Sequence, residues 1–233
     1  MPRIRCTQRL LKVLGKEAAR SARDDDSEAS DLDWDADLFS IESRKCLIFV
    51  NAGTRLPVVA FDASTDDFRD PAALLRERYE EVLRYLEAPF DEIEREMSLF
   101  AELPIGSTRD RGAVGLMSEL VGFTKNTVEF AGGLVEVTDW EVSAGLAKIP
   151  TGRIGTGHPE HALRKRIPGL GRGRRQAAER HPERDVGPSG GSRKVLTDFL
   201  SHPDRGGAAS TYQEVLGFLF HMVAAPRPIR PSK

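Results

Sequence analysis

The sequence predicts an α+β fold in which a small antiparallel sheet packs against several helices and a largely disordered basic tail follows. Two observations predict this class. Short apolar runs at 46–50 and 56–61, separated by turn residues, are typical of paired strands. Apolar residues at helical spacing over 72–87 are typical of an amphipathic helix packed against such a sheet.

The chain begins with a predicted strand at 4–6 and a short helix. Thr7 is a suitable N-cap and Gly15 a suitable stop. Three leucines form the apolar stripe between them: Leu10, Leu11 and Leu14. Residues 16–33 are acidic, small and polar, and the sequence therefore predicts a mobile loop there.

Three strands are expected next, at 38–41, 46–50 and 56–61, joined by short turns into an antiparallel meander. Pro57 has no backbone N–H, which favours an edge position or the start of a strand. The stretch 44–63 contains no nucleophile–base pair, no cluster of metal ligands and no Gly-rich phosphate loop. It is interpreted as the centre of the sheet rather than as the frame of an active site.

Helices are predicted for most of the chain that follows. Asp70 and Pro71 supply an N-cap and an N1 proline for the helix at 72–87. Thr138 and Glu141 form a capping box that starts a later helix. The remaining predicted elements are helices at 90–100, 110–130 and 159–167, and a strand within 101–108.

Charge and composition divide the chain into segments. Residues 164–233 hold 14 Lys and Arg against 6 Asp and Glu, a net charge of +8, whereas residues 1–163 hold 20 and 30, a net of −10. The apolar period also fails after Pro168, so the segment that follows cannot build a core. The predicted segments are an α+β domain at 1–167, a Pro/Gly/Arg-rich linker at 168–192 and a short helical or disordered tail at 193–233.

The cysteine count and the apolar runs indicate a soluble cytoplasmic protein. Cys6 and Cys46 match no zinc spacing and are too few for a disulfide scaffold, so both are interpreted as small buried side chains in a reducing compartment. The N-terminus has no signal-peptide core, and no apolar run approaches the roughly 20 residues of a membrane span.

Four blocks along the chain carry a family resemblance: "IRCTQRLLKVLG", "DWDADLFSIESRKCLIFVNAGT", "RGAVGLMSEL" and "GLVEVTDWEVSAGLAKIP". Together they resemble the bacterial domain-of-unknown-function family 6933 over about residues 3–167. The resemblance implies a small α+β fold with a boundary near residue 167. It implies no mechanism, because the family has no assigned activity.

Residues 31–42 nearly fit a calcium-binding loop. Asp31, Asp33 and Asp35 occupy the first three ligand positions, and Glu42 occupies the twelfth. Ala36 stands where the sharp turn needs glycine, and a strand follows instead of a helix. A solvated acidic loop is therefore expected, without a metal or any other cofactor.

Two further motifs have ordinary interpretations. His158 and His161 lie one helical turn apart but have no evident third ligand, so the segment is interpreted as a surface helix that begins at Pro159. The basic sequence "LGRGRR" at 170–175 permits nucleic-acid binding, but no aromatic residue is interleaved for stacking. A solvated linker is favoured there.

The tail contains a short motif that resembles a loop of J-domain co-chaperones. His202, Pro203 and Asp204 would contact an Hsp70, and "TYQEVL" at 211–216 resembles the start of the helix that follows that loop. No preceding helix is apparent, because 168–192 is rich in Pro and Gly. A chance tripeptide, a decayed fragment or a read-through extension also accounts for the tail.

Three classes of function follow from these observations. A non-catalytic protein-interaction or regulatory module with an unknown protein partner is favoured. The second class is an enzyme whose site is assembled from scattered residues, and the third is a tail that recruits an Hsp70. The residues named for a binding patch or scattered site are Trp34, Arg44, Asn51 and Arg111.

Overall fold

The computed structural model describes residues 1–23, 28–108, 110–151 and 157–171. Within these ranges, five strands form one mixed sheet that packs with eight α-helices, which confirms the α+β class. The strands are β1 (Ile4–Cys6), β2 (Trp34–Ile41), β3 (Arg44–Asn51), β4 (Pro57–Ala60) and β5 (Ile105–Ser107). The helices are α1 (Gln8–Leu14), α2 (Lys16–Arg23), α3 (Thr65–Arg69), α4 (Pro71–Tyr85), α5 (Phe90–Leu99), α6 (Arg111–Ala131), α7 (Asp139–Leu146) and α8 (Pro159–Arg166).

The sheet has the strand order β4-β3-β2-β1-β5. Its β2-β3-β4 part is the predicted antiparallel meander, and β4, which begins at Pro57, lies at the edge. The sheet is not wholly antiparallel, because β1 pairs in parallel with both β2 and β5. Parallel neighbours require long crossover connections, and α1–α2 and α3–α5 supply them.

The predicted loop over 16–33 is wrong in its first part, where α2 forms. Its sequence, KEAARSAR, consists mostly of strong helix formers. Ala22 is fully buried in the core, and α2 packs against α1 and β5. The segment lacks large apolar residues, so its polarity resembled that of a loop.

The side chains of β3 alternate between the two faces of the sheet. Leu47 and Phe49 belong to the main core, together with residues of α1 and α4. Ile48 and Val50 point to the opposite face, where α6 packs against β2 and β3. Cys6 and Cys46 are both buried and free, as expected. Among the described residues, no helix has both the length and the apolar character that a bilayer span requires.

Helix α7 lies along β4 at the edge of the sheet. The backbone N–H of Val59 donates a hydrogen bond to Ser143 Oγ at 2.9 Å. The backbone N–H of Phe61, two residues later, donates to the carboxylate of Asp139. Since Asp139 and Ser143 are one helical turn apart, one face of α7 accepts from successive outward-facing amides at this edge.

The last described residues return to the core. After α8, Ile167 and Leu170 are 0% and 4% exposed, as Leu163 on α8 is 0% exposed. Arg166 forms an ion pair with the buried carboxylate of Glu96 on α5. The first compact unit of the chain accordingly spans Met1–Arg172. The structure does not describe the predicted linker and tail after Gly171. The domain boundary at residue 167 stays a prediction.

The turn between β2 and β3 gives a testable prediction about stability. Glu42 and Ser43 both have positive φ, 50° and 64°, in a two-residue hairpin turn that favours glycine at the second position. A left-handed non-glycine residue costs roughly 1–2 kcal/mol, and the larger unfolded-state entropy of glycine offsets part of the gain. We expect Ser43→Gly to raise the free energy of unfolding by about 0.5–1 kcal/mol in urea titrations.

Ser40→Gly is the matched control for this turn. Ser40 is an exposed serine in the extended strand β2, where glycine only adds unfolded-state entropy. We expect this variant to be less stable than the original chain. A Ser43→Gly variant that is destabilised to the same extent would show that the positive φ carries no strain.

Candidate functional site

The structure separates the four residues predicted for a binding patch. Trp34 and Asn51 lie opposite each other on β2 and β3, and each is 1% exposed. Arg44 is at the other end of β3, where its Nη1 lies 2.8 Å from Asp62 Oδ2. Arg111 is exposed at the first position of α6. These residues therefore do not share one surface.

Trp34 and Asn51 both have structural roles. The indole ring of Trp34 makes edge-to-face contacts with Tyr79 and Phe100, with ring centroids 5.0 and 5.9 Å apart. Asn51 Nδ2 donates to the Asp33 carbonyl oxygen at 3.2 Å, and Asn51 Oδ1 accepts from the backbone N–H of Thr54 at 2.9 Å. Packing accounts for the position of the Trp34 ring, and the turn after β3 accounts for the Asn51 side chain.

Three carboxylates, one just before β2 and two on it, lie on one face of the sheet and form a charged network that the sequence pattern did not predict. Asp33, Asp35 and Asp37 are 2%, 6% and 4% exposed, while Trp34 and Ala36 alternate with them on the opposite face. The period-two alternation in "DLDWDADL" was the available signal. The sequence predicts an acidic loop with partial calcium-ligand spacing here, whereas residues 34–41 form strand β2.

Each carboxylate of this network has a specific partner. Asp33 Oδ2 accepts from Arg5 Nε at 2.7 Å. Asp37 accepts from Thr7 Oγ1 at 2.5 Å and also pairs with Arg9. These groups belong to the sheet and the first helix rather than to a calcium loop. Within the described ranges, no group of three or more His, Cys, Asp or Glu side chains is placed to hold a metal ion.

Asp35 accepts a hydrogen bond from a neutral hydroxyl across the sheet. Thr108 Oγ1 donates to Asp35 Oδ1 at 2.6 Å. Burial raises the pKa of Asp35, and the Thr108 hydrogen bond opposes that rise. The carboxylate of Asp110 raises this pKa further, whereas the guanidinium groups of Arg55 and Arg5 lower it. Asp35 is therefore a buried carboxyl group that holds its proton more readily than an exposed one.

Asp35 lies near the carboxyl ends of β1 and β5. These strands are parallel neighbours, and each leads towards a helix, α1 after Thr7 and α6 after Asp110. Strand β1 lies between β2 and β5 in the sheet. The next strands in the chain, β2 to β4, add on one side of β1, and β5 adds on the other side, so the strand order reverses at β1. Crevices at such reversals commonly hold ligands in open α/β sheets. We call the set Thr7, Asp35, Asp37 and Thr108 the carboxyl-edge site.

A second candidate region is an open cleft of about 510 Å³ between the β2–β3 hairpin and the C-terminal end of α6. We call it the hairpin cleft. Its lining residues are Ser40, Ile41, Glu42, Lys125, Val128, Glu129, Gly132 and Gly133. The hairpin and the helix end are about 90 residues apart in the sequence, so no local pattern indicates this region.

Glu42 fixes one wall of the hairpin cleft. Its Oε1 accepts from the backbone N–H of Leu134 at 3.1 Å, which joins the hairpin turn to the chain after α6. Gly133 has a φ of +127°, and a Cβ added there would lie 2.9 Å from the same oxygen. Glycine therefore permits both the backbone conformation and the close approach of Glu42.

Two exposed apolar side chains lie close in sequence to residues that line the hairpin cleft. Phe130, near the end of α6, is 50% exposed, and Val135, just after Gly133 and Leu134, is 77% exposed. Large exposed apolar side chains close to a concave surface are a feature of protein-binding regions.

The two histidines on and before α8 have a structural arrangement. Their rings are 5.3 Å apart, and His158 Nδ1 donates to the Lys148 carbonyl oxygen at 2.5 Å. The helix begins at Pro159, as predicted. Among the described residues, no third ligand completes a metal site with His158 and His161.

Comparison with known proteins identifies one family. The family described as "Domain of unknown function (DUF6933)" matches residues 3–162. Searches of curated proteins and of solved structures found no match. The J-domain resemblance at 202–216 has no support in these comparisons. His202, Pro203 and Asp204 lie outside the described residues.

Proposed function

The chain belongs to DUF6933, a family defined by a domain of unknown function, and from this premise we propose that it is a non-catalytic protein-interaction module. Its binding surface is the hairpin cleft together with the neighbouring exposed side chains of Phe130 and Val135. The partner is a protein, because the cleft is open rather than enclosed, and the exposed apolar side chains extend the surface beyond it.

A single observation carries this proposal. The hydrogen bond from Leu134 to Glu42 joins the hairpin turn to the chain after α6, next to Val135, whose side chain is 77% exposed. Exposing a large apolar side chain gives no packing energy to the isolated domain, while contact with a partner would remove it from water. The hydrogen bond from Leu134 to Glu42 holds that segment in place before any partner arrives.

Site-specific photo-crosslinking tests the proposal. We expect a photoreactive phenylalanine analogue at position 135 of the full-length chain, expressed in its native cells, to give one discrete crosslinked protein. The same analogue at Val114 is the matched control, because Val114 is also an exposed valine but lies near the other end of α6. The partner would then be purified, and Val135→Asp should abolish its direct binding. Equal crosslinking at both positions, or none at 135, would overturn the proposal.

An enzyme or small-ligand protein is the second candidate, and Asp35 is the observation that favours it. A buried carboxyl group with a raised pKa at the carboxyl ends of parallel strands is typical of a functional site. Ionised carboxylates retained in such places often reduce stability in exchange for function. The stability of Asp35 variants therefore bears directly on this candidate.

We expect Asp35→Asn to be more stable than the original chain at pH 7 and equally stable near pH 4. Because the pKa of Asp35 is raised in the folded state, the carboxyl group contributes stability that is lost as pH rises through that pKa. Asparagine stays neutral, and its Oδ1 can still accept from Thr108. Urea titrations at the two pH values measure the difference.

Asp66→Asn, which changes an exposed carboxylate on α3, is the control for this comparison. Its effect should be small at both pH values, because this carboxylate is exposed and its ion pair with Arg69 lies in solvent. If Asp35→Asn lowers stability at pH 7, the carboxylate is a structural ion-pair partner and the second candidate loses its support.

A further inference from the structure

The hairpin cleft has an uneven distribution of charge. Glu42 and Glu129 line it, and Lys125 is the one basic side chain among its lining residues. The cleft also contains the C-terminal end of α6, a helix of 21 residues, and the C-terminal end of a helix carries partial negative charge. The potential in the cleft therefore favours a cation.

The middle of the cleft is apolar. Val128 is 1% exposed beneath it, and Ile41 is half-buried on the hairpin side. Gly132 and Gly133 contribute backbone without side chains. A long side chain with an apolar stem and a positively charged end fits this combination, since the stem can lie on the apolar surface while the charged group meets carboxylates.

Arginine is the side chain that matches these groups best. A guanidinium group is planar, remains charged, and binds carboxylates through several N–H donors. One oxygen of Glu42 already accepts from Leu134, which holds the carboxylate in place and leaves its second oxygen for a ligand. Anions are disfavoured by the same two glutamates.

We propose that the hairpin cleft binds a basic linear segment of a partner protein and takes one of its arginine side chains. The stem lies along Val128 and the two glycines, and the guanidinium group binds the carboxylates of Glu42 and Glu129. An apolar residue next to that arginine packs on Val135. The inference rests on the proposed function, because it names the chemistry of the partner for the same surface.

Peptide binding to the full-length protein tests this inference. The probe is a fluorescein-labelled peptide, Ala-Leu-Arg-Leu-Arg-Ala, measured by fluorescence anisotropy. A second peptide with citrulline in place of both arginines keeps the shape and removes the charge. We expect the citrulline peptide to bind at least about tenfold more weakly, and Glu129→Gln to weaken binding of the arginine peptide by about tenfold.

Glu119→Gln is the matched control, because Glu119 is an exposed glutamate on the same helix and outside the cleft. It should leave the affinity unchanged. Equal losses for Glu119→Gln and Glu129→Gln would show attraction by net charge alone and overturn the site. Equal binding of the citrulline peptide, or no binding of either peptide, would overturn the role of arginine.

This result is separable from the test of the proposed function. If position 135 crosslinks a partner whose binding Val135→Asp abolishes, while neither peptide binds, the proposed function is supported and the proposal of an arginine ligand is wrong. If the arginine peptide binds with the expected dependence on Glu129 but no partner crosslinks at 135, the cleft chemistry stands and the proposed function fails.

Discussion

Replacing Arg166 with methionine is expected to lower the free energy of unfolding by about 3–5 kcal/mol. Its guanidinium neutralises Glu96, which is only 1% exposed, through a hydrogen bond from Nε to Oε1 at 3.1 Å and a charge contact from Nη2 to Oε2 at 2.8 Å. Tyr79 adds a hydroxyl donor at 3.0 Å. Without Arg166, a buried carboxylate would keep only a neutral donor.

The ionisation state of Tyr79 supports this expectation. Burial, together with the charge of Glu96, raises the pKa of Tyr79 well above its usual value. The phenol therefore keeps its proton and continues to donate, but it cannot compensate a negative charge. The expected loss of stability in Arg166→Met therefore comes from removing the positive charge that pairs with Glu96.

Two variants serve as controls for this prediction, each measured by urea unfolding at pH 7. Arg84→Met removes an exposed i,i+4 ion pair with Glu80 on α4 and should cost less than about 1 kcal/mol. The double variant with Glu96→Gln and Arg166→Met should be more stable than Arg166→Met alone, because no buried charge remains. If Arg166→Met lowered the free energy of unfolding no more than Arg84→Met, Glu96 would not require Arg166 as a charge partner.

A chain that ends at residue 162 is expected not to fold, whereas a chain that ends at residue 172 is expected to unfold cooperatively. The shorter chain lacks three buried apolar side chains, Leu163, Ile167 and Leu170. Losing a large buried side chain costs about 2–5 kcal/mol, and three such losses match or exceed a typical domain stability of about 5–15 kcal/mol. The shorter chain also lacks Arg166.

Circular dichroism and proteolysis of the two chains check this prediction. The end of the family match at residue 162 would then lie inside the folded unit rather than at its boundary. The double variant Ile167→Asp and Leu170→Asp in the full-length chain should reproduce the loss without any change in length. Cooperative unfolding of the 162-residue chain at an unchanged midpoint would contradict the prediction.

The local parts of the fold could be predicted because their signals are contained in short stretches. Thr7, Asp70 and Thr138 were each predicted to start a helix, and each side chain accepts a backbone hydrogen bond at the start of α1, α4 and α7. The meander from β2 to β4 followed from apolar runs between turns. These features need only neighbours in the sequence.

The parallel part of the sheet could not be predicted in the same way. Strands β1 and β5 have three residues each, too few to show a period, and they pair across about 100 residues of sequence. The role of Trp34 was equally hidden, because an amphipathic side chain in a family-like block is compatible with both a surface and a core. The carboxyl-edge site and the hairpin cleft depend on such distant contacts.

The edge of the sheet formed by β4 has a consequence for self-association. The backbone N–H and C=O groups of Val58 and Ala60 point towards β3. Those of Val59, and the C=O group of Pro57, therefore point away from the sheet. Proline has no N–H, and the N–H of Val59 is already bonded to Ser143. A foreign strand would find no free amide on β4 to pair with. The fold itself therefore disfavours edge-to-edge aggregation and donor-strand exchange at β4, because the outward backbone of this strand offers no N–H donor.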